Sequence, residues 1–284
     1  MTKRDFTEGR SIAGRTLVLH IDDLGMCHSS NAAFLDLIVQ GLVTCGSVMV
    51  PCPWFPELVA ANDRLDLDLG VHLTLTSEWA QYRWRPISTL SLASGLIDDD
   101  GYFHRDLPNF SRNLVPEAAE AEMVAQVERA LSSGLRPTHI DAHMGVALLP
   151  QLVESYVRLA LGYGLIPVLP RGYGGSSQYE SAVALVREAG VPVVDQFVGT
   201  QWTADDPVEP TYQEVIRKLP VGLTHFALHA TKPGAEIISF APDHAARTRE
   251  YELLAMGAIA RCCAENGVGL GGYRALQRWP EFAR

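Results

Sequence analysis

The feature that most constrains this chain is the alternation of short apolar runs with amphipathic helical patterns along most of its length. The apolar runs predict strands at 16–21, 44–50, 67–75, 138–143, 165–171, 191–198, 223–230 and 268–273. The helical patterns predict helices at 29–40, 54–62, 116–134, 150–163, 178–189, 211–219 and 243–264. Strands that alternate with helices pair in parallel under helical cover. An α/β fold is therefore expected: a TIM-like (β/α) barrel-like architecture of seven or eight strands, regular or distorted, with a doubly wound open sheet as the alternative.

A long insertion interrupts the alternation directly after the third predicted strand. Residues 76–115 show no clear periodicity and carry the aromatic residues Trp79, Tyr82 and Trp84. Loops of this length in compact domains often act as lids or binding loops. The rings either stack on a flat substrate such as a sugar or pack the insertion onto the barrel, and both interpretations are open at this point.

Composition excludes several classes of partner. No linker rich in Ser, Gly or charge divides the chain, so a single domain over residues 1–284 is expected. A formal net charge of −10 argues against a general nucleic-acid binder and against anchoring on anionic lipid. No apolar run approaches the roughly 20 residues that span a bilayer, so no membrane insertion is expected.

The cysteines and the N-terminal sequence favour a cytoplasmic location. The opening stretch, MTKRDFTEGR, lacks the apolar core of a signal peptide. The five cysteines form no CxxC pair and are interpreted as reduced, buried thiols. Cys27 is a weak candidate ligand because it follows Asp22 and Asp23 closely. A homodimer is the default expectation for a soluble enzyme.

Polar side chains gather at the carboxyl ends of the predicted strands, where (β/α) barrels carry their chemistry. These residues are Asp22, Asp23, His72, Asp141, His143, Arg171, Asp195 and His229. One histidine at such a position is more often a hydrogen-bonded structural residue than a ligand. Carboxylates and imidazoles that converge from several strands, however, suit a divalent metal with an open position for water.

Two comparisons help to select among these residues. The acidic run at residues 98–101 ends in glycine within a polar loop, which is typical of a solvated turn. His139 and His143 have the spacing of a helical metal pair, but their segment is predicted as a strand. Side chains four residues apart on a strand are separated by about 13 Å, so both are not expected to bind one ion. We favour His143, which is nearer the strand end.

The order of several motifs resembles that of a known family. The segment "HIDDLGM", followed by "NAAF" and "GLVTCGSVM", resembles the opening HADDFG…N…G…TSTS-M signature of the YdjC-like carbohydrate deacetylases. "DLGVHLTLT" is similar to the family's GLHLTLT motif, and "LIDDDGYFHRD" to its D-x-x-G-x-F loop. "EMVAQVERALSSGLRPTHIDAHMG" resembles E…AQ…F…G…PTHLDSHQH. A weaker likeness continues in "VLPRG" and "RTREYELL", which are similar to an Arg-Pro element and an R-x-x-E-L helix.

The resemblance implies a barrel-like fold and the removal of acetyl groups from N-acetylated sugars, of chitooligosaccharide or glycolipid type. It also implies a divalent metal ion, Zn²⁺ or Mg²⁺. By position in the motifs, the metal ligands would be Asp23, His72 and His143, and Asp22 would be the general base.

Two further roles follow the same resemblance. His229 maps onto a late family histidine and would protonate the departing amine as general acid, although its motif reads "LHATKPG" and is three residues longer than the family's. Arg171 would orient Asp22 or hold a substrate oxygen. After His143 this chain reads Met144-Gly145-Val146, where the family usually has further histidines.

Other functions therefore stay open beside deacetylation. The same residues could serve another metal-dependent amidase or esterase, a sugar isomerase, or a sugar-binding relative without catalytic activity.

The adjacency of Asp22 and Asp23 carries a geometric expectation. Successive side chains alternate in direction along a strand. One carboxylate is therefore expected to face the ion while its neighbour faces the attacking water.

Overall fold

The computed structural model describes residues 14–199 and 208–277, and the N-terminal stretch discussed above lies outside them. Within these residues the strands are β1 (Arg15–Leu24), β2 (Cys45–Val48), β3 (Leu69–Leu73), β4 (His139–Ala142), β5 (Ile166–Pro167), β6 (Gln196–Val198), β7 (Gly222–Leu228) and β8 (Val268–Leu270). The helices are α1 (His28–Val39), α2 (Phe55–Leu65), α3 (Leu107–Asn113), α4 (Pro116–Ser132), α5 (Val153–Gly162), α6 (Ser177–Glu188), α7 (Val208–Arg217), α8 (Ala235–Phe240), α9 (His244–Ala255), α10 (Ala258–Glu265) and α11 (Tyr273–Gln277).

All the strand pairs are parallel, and β1 lies at the centre of the sheet. The strand order is β5-β4-β3-β2-β1-β7-β6, and β8 pairs with the first residues of β1. An isolated parallel bridge between Pro170 and Val194 joins the segments that follow β5 and precede β6. The two edges of the sheet therefore approach each other, and the predicted α/β barrel-like fold is confirmed.

The composition of β1 follows from this central position. Its residues from Leu17 to Leu24 are all buried, because the strand is covered on both faces. Side chains alternate, so Leu19 and Ile21 share one face while His20 and Asp22 share the other. The polar face carries the side chains from which the site is built.

The structure corrects three local predictions. The helix expected over 243–264 is two helices, because Gly257 adopts a φ of +68° that ends α9 before α10 begins. The strands expected over 165–171 and 191–198 shrink to β5 and β6, two and three residues long.

The insertion has local structure of its own and packs on the barrel. It contains a short 3₁₀ turn, an antiparallel bridge between Ile97 and Phe103, and α3. The rings of Tyr82 and Phe240 stack with centroids 4.2 Å apart, and Trp79 also contacts Phe240. Trp84 is buried and donates its indole N–H to a backbone carbonyl. These contacts support the interpretation that the aromatic rings pack the insertion onto the barrel.

Three smaller expectations can be compared with the structure. The acidic run forms a turn in which Asp98 Oδ1 accepts from the backbone N–H groups of Asp100 and Tyr102. All five cysteines are free and buried. In the described part of the chain, no helix has both the length and the apolarity needed to cross a membrane.

One buried hydroxyl offers a test of the packing between α5 and the sheet. Tyr156 donates to the backbone oxygen of Ile140 over 2.7 Å, and its hydroxyl lies 3.1 Å from that of Val168. Tyr156→Phe should lower the free energy of unfolding in urea by about 1–2 kcal/mol, because the bond is lost in a dry environment. Tyr163→Phe is the matched control, since its hydroxyl bonds Glu128 on the exposed surface and its loss should change stability by less than about 0.5 kcal/mol. Equal losses in the two variants would contradict this assignment.

Candidate metal and catalytic site

Three predicted ligands converge at the carboxyl end of the barrel. Asp23 lies at the end of β1, His72 lies in β3, and His143 directly follows β4. Asp23 Oδ1 is 3.4 Å from His72 Nε2 and 3.1 Å from His143 Nδ1, and the two ring nitrogens are 3.3 Å apart. Ligands about 2.1 Å from one ion lie about 3.0–3.4 Å from each other. The three side chains therefore fit a divalent metal ion.

In both histidines, the outer ring nitrogen, which points away from the other two candidate ligands, lies beside a carboxylate. His72 Nδ1 lies 2.9 Å from Asp141 Oδ2, which also accepts the hydroxyl of Ser47. His143 Nε2 lies 3.0 Å from Glu78 Oε2. Each carboxylate can hold a proton on the outer nitrogen when the inner nitrogen serves as a ligand to an ion, which is the usual arrangement around metal-binding histidines.

Arg247 of α9 completes the surroundings of Asp23. Its Nη1 donates to Asp23 Oδ2 over 2.8 Å, and its Nε donates to Asp243. Burial raises the pKa of Asp23, but hydrogen bonds from His143 and His72 and the Arg247 charge outweigh it and hold that pKa well below its usual range. Asp23 is therefore ionised, as a metal ligand must be.

The backbone is strained beside two of the ligands. Asp23 has a φ of +57° and Met144, directly after His143, has a φ of +52°. Non-glycine residues rarely adopt this left-handed region, and such strain is concentrated at functional sites. The β1–β2 register also shifts between Ile21 and Leu24. The two carboxylates thus diverge through a turn of the backbone at Asp23, rather than through simple strand alternation as expected.

Asp22 lies beside the three ligands and has its own partners. Its Oδ1 accepts from His20 Nδ1 over 2.6 Å, and its Oδ2 is 3.9 Å from His229 Nε2. Burial raises the pKa of Asp22. The hydrogen bond from His20 and the charge of that ring together outweigh burial, so the pKa of Asp22 lies below its ordinary value. The structure therefore brings Asp22 and His229 together, as the sequence predicted.

Arg171 has a different partner from the one expected. Its Nε pairs with Asp195 Oδ1 at 3.2 Å, and about half of its side chain is exposed. The contact with Asp22 that was expected of Arg171 is made by His20 instead. A substrate-binding role for Arg171 stays a prediction.

The backbone N–H of His229 is anchored by a hydrogen bond. Its N–H donates to Glu250 Oε2 over 2.6 Å, and Tyr212 donates to Glu250 Oε1. Burial raises the pKa of Glu250 to about 8 and lowers that of His229 below its ordinary value.

The Cys27 thiol donates to the Ser30 hydroxyl, and it belongs to none of the ligand clusters among the described residues.

Sequence reasoning missed three contributors to the site. Glu78 opens the insertion without a recognisable pattern, and Arg247 is 224 residues from Asp23 along the chain. Arg247 does fall within the "RTREYELL" segment, whose likeness to a family helix was the one available signal. His20 stands in the opening motif but had received no role.

Two cavities adjoin these groups. A small one of about 60 Å³ is lined by Asp22, Asp141, His225, Tyr173 and Phe197, among others. A broad open cleft of about 860 Å³ runs from Glu78 along the insertion, where its lining includes His104, Arg105, Asn109 and Asn113.

Comparisons with known proteins identify the family of this chain. A family model described as YdjC-like protein matches residues 16–265. A protein of Thermus thermophilus named carbohydrate deacetylase is 35% identical, over 92% of this chain and 94% of its own length. One of the same name from Thermoanaerobacter pseudethanolicus is 24% identical, over 92% and 99%.

Solved structures share the fold. The crystal structure of an Enterococcus faecalis protein, described as a cellobiose-phosphate cleavage protein, superimposes with a TM-score of 0.80 at 22% identity, over 93% of this chain and 99% of its own. A lactam utilization protein from Thermus thermophilus gives 0.51 at 15% identity, over 90% and 99%. The family model and the 35% identical relative, which both extend over most of the chain, establish its membership. This chain belongs to the YdjC-like protein family.

Proposed function

We propose that this protein is a metal-dependent hydrolase that removes acetyl groups from N-acetylated sugars, of chitooligosaccharide or glycolipid type. The observation that carries the proposal is the convergence of Asp23, His72 and His143 on one point, with Asp22 next to them. The names of the two relatives support a carbohydrate substrate and the removal of an acetyl group from it. A cytoplasmic location and a homodimer stay predictions.

Asp23, His72 and His143 would hold the metal ion. Two imidazoles and one carboxylate suit Zn²⁺ better than Mg²⁺, which prefers oxygen ligands. When bound, the ion lowers the pKa of a water molecule and polarises the amide carbonyl.

The remaining groups of the site handle protons. Asp22 is ionised and would take the proton of the attacking water, while His20 fixes the direction of its carboxylate. That proton can pass to His229, 3.9 Å from Asp22, through a bridging water. His229 then delivers it to the sugar nitrogen as the C–N bond breaks. The new C–O bond gives acetic acid and the leaving group departs as a neutral amine, so the reaction balances without another reactant.

The cleft along the insertion would receive the sugar. It opens beside Glu78, a direct partner of the ligand His143, and its polar side chains can bond sugar hydroxyls. An extended oligosaccharide could therefore lie along the insertion with its acetamido group at the metal.

A substrate screen tests the proposal directly. The metal-reconstituted protein should release acetate from N-acetylglucosamine oligomers or acetylated glycolipids, and chelation should abolish the release. Activity on simple esters alone would instead favour an esterase. Sugar binding without acetate release by the metal-loaded protein would contradict catalysis.

The adjacent acids should be separable by mutation. Asp23→Asn and His72→Ala should lose bound metal, because each removes a ligand, whereas Asp22→Asn should keep the metal and lose about 10²–10⁴-fold in kcat. Metal content of the dialysed proteins and acetate release measure the two effects. Asp63→Asn, in an exposed turn of α2, is the control for loss of a carboxylate. Equal metal content and equal activity in the Asp22 and Asp23 variants would refute both assignments.

The partner of His143 should tune metal affinity. Glu78→Ala removes the acceptor that orients the ring, and the dissociation constant for Zn²⁺ should rise by about 10–100-fold. Competition with a chromogenic chelator measures this constant. Glu117→Ala, at the exposed start of α4, should leave it unchanged. Unchanged affinity in Glu78→Ala would show that Glu78 does not support the ligand.

A further inference from the structure

The small cavity beside Asp22 has two kinds of lining. Asp22, Asp141 and His225 are its polar residues, and all three are buried. The rest of its lining is mainly apolar and includes Ala142, Leu148, Val168, Pro170, Tyr173 and Phe197. The cavity therefore offers hydrocarbon and aromatic surface directly next to the proposed base.

The aromatic part of this lining is held in place from inside the barrel. The Phe197 ring stacks on the His225 ring at an interplanar angle of 8°, with centroids 5.4 Å apart. His225 Nδ1 lies 2.7 Å from the hydroxyl of Tyr273 in α11, a helix that also covers the His139 ring. The Tyr173 ring in turn meets Phe197 edge-on, with centroids 6.2 Å apart. The position of the aromatic wall thus follows from that of His225.

Gly145 lets Tyr173 approach the cavity. A Cβ at this position would lie 2.9 Å from the Tyr173 hydroxyl oxygen, so a side chain there would displace the ring. Gly145 belongs to the segment after His143 in which this chain lacks the further histidines of the family pattern. The Tyr173 wall therefore depends on that departure.

The cavity and the cleft along the insertion adjoin the same candidate ligand. Ala142 and Gly145, which stand on either side of His143 in the sequence, line the cavity. Glu78, which bonds the His143 ring, lines the cleft. A substrate that reaches across the candidate ligands would therefore place one part in each space.

The two spaces differ in what they can contain. Sites that enclose whole small molecules usually measure about 300–1,000 Å³. The cleft, at about 860 Å³, lies in that range, whereas the cavity, at about 60 Å³, is too small for a sugar ring. A short group with an apolar end fits the cavity in both size and lining.

We propose that this cavity is an acyl pocket, which receives the methyl end of the acyl group while the sugar lies in the cleft. Leu148, Val168 and Phe197 then limit the acyl chain to about the length of acetyl. The inference rests on the proposed function, because hydrolysis of an N-acyl sugar is what brings an acyl group to Asp22. Selection of the acyl group is thus separate from binding of the sugar and from the metal ligands.

A series of acyl groups tests the limit on length. The metal-reconstituted protein would be assayed with glucosamine oligomers that carry N-acetyl, N-propionyl or N-butyryl groups. The value of kcat/KM should fall by about 10–200-fold at the methylene that no longer fits the pocket. Equal values along the series would overturn the proposal.

Two substitutions at one wall position should shift this preference in opposite directions. Leu148→Ala enlarges the pocket and should raise the N-butyryl to N-acetyl ratio of kcat/KM by about 10-fold or more. Leu148→Phe fills the pocket and should lower N-acetyl hydrolysis relative to N-formyl hydrolysis, because a formyl group has no methyl to accommodate. Ratios that stay at the wild-type value in both variants would contradict the pocket.

The neighbouring leucine supplies the control. Leu149 is partly buried like Leu148 but does not line the cavity, so Leu149→Ala should leave both ratios unchanged. Each ratio compares two substrates of one variant, so partial loss of folded or metal-loaded protein cancels.

The acetate product provides a measurement that needs no turnover. In NMR spectra of the zinc-loaded protein with excess acetate, nuclear Overhauser effects should connect the acetate methyl with the Phe197 ring and the Val168 methyl groups. Contacts elsewhere, or none, would overturn the proposal. A wild-type protein that hydrolyses no N-acyl sugar would refute the proposed function instead, and the acetate contacts would still decide whether the cavity binds an acyl group.

Discussion

The structure depends on the stabilisation of one buried carboxylate, that of Asp23. An unpaired charge at this depth would destabilise the fold by several kcal/mol, so this carboxylate needs polar or positively charged partners. Oδ1 faces His72 and His143, and Oδ2 accepts from Arg247. These three partners belong to β3, the segment after β4, and α9. The partners of this single side chain therefore bring distant parts of the chain together, and the same contacts bring the proposed metal ligands close to one another.

The central place of β1 explains why this solution is available. Pairing with β2, β7 and β8 places this strand at the centre of the sheet, where its residues from Leu17 to Leu24 are buried. On the polar face of the strand, the interior contains imidazole rings packed against one another instead of aliphatic side chains. Buried imidazoles stabilise a core only when every donor meets an acceptor. The hydrogen bonds inside the barrel are therefore coupled to those of the site at its carboxyl end.

Much of this arrangement follows from local sequence. The alternation of strand and helix predicted the barrel, and the position of polar residues at strand ends pointed to Asp23, His72 and His143, which lie close together in the structure. Glu78 and Arg247 were beyond such reasoning, because an aperiodic insertion and a helix more than 200 residues away meet the site only after folding. The left-handed backbone at Asp23 was also hidden, since aspartate tolerates that conformation without a characteristic neighbour. The break at Gly257 could have been read from the glycine, but the strong helical pattern on both sides outweighed it.

The cover that α11 provides has a consequence for the order of folding. Tyr273 and Arg274 close the lower end of the barrel by bonding His225 and Asp68. They follow β8 along the chain, so they are synthesised after all the strands described above. Until α11 is in place, this end of the barrel lacks its cover, and water can reach the histidines there. Docking of α11 is thus the step that covers the buried histidines at this end of the barrel.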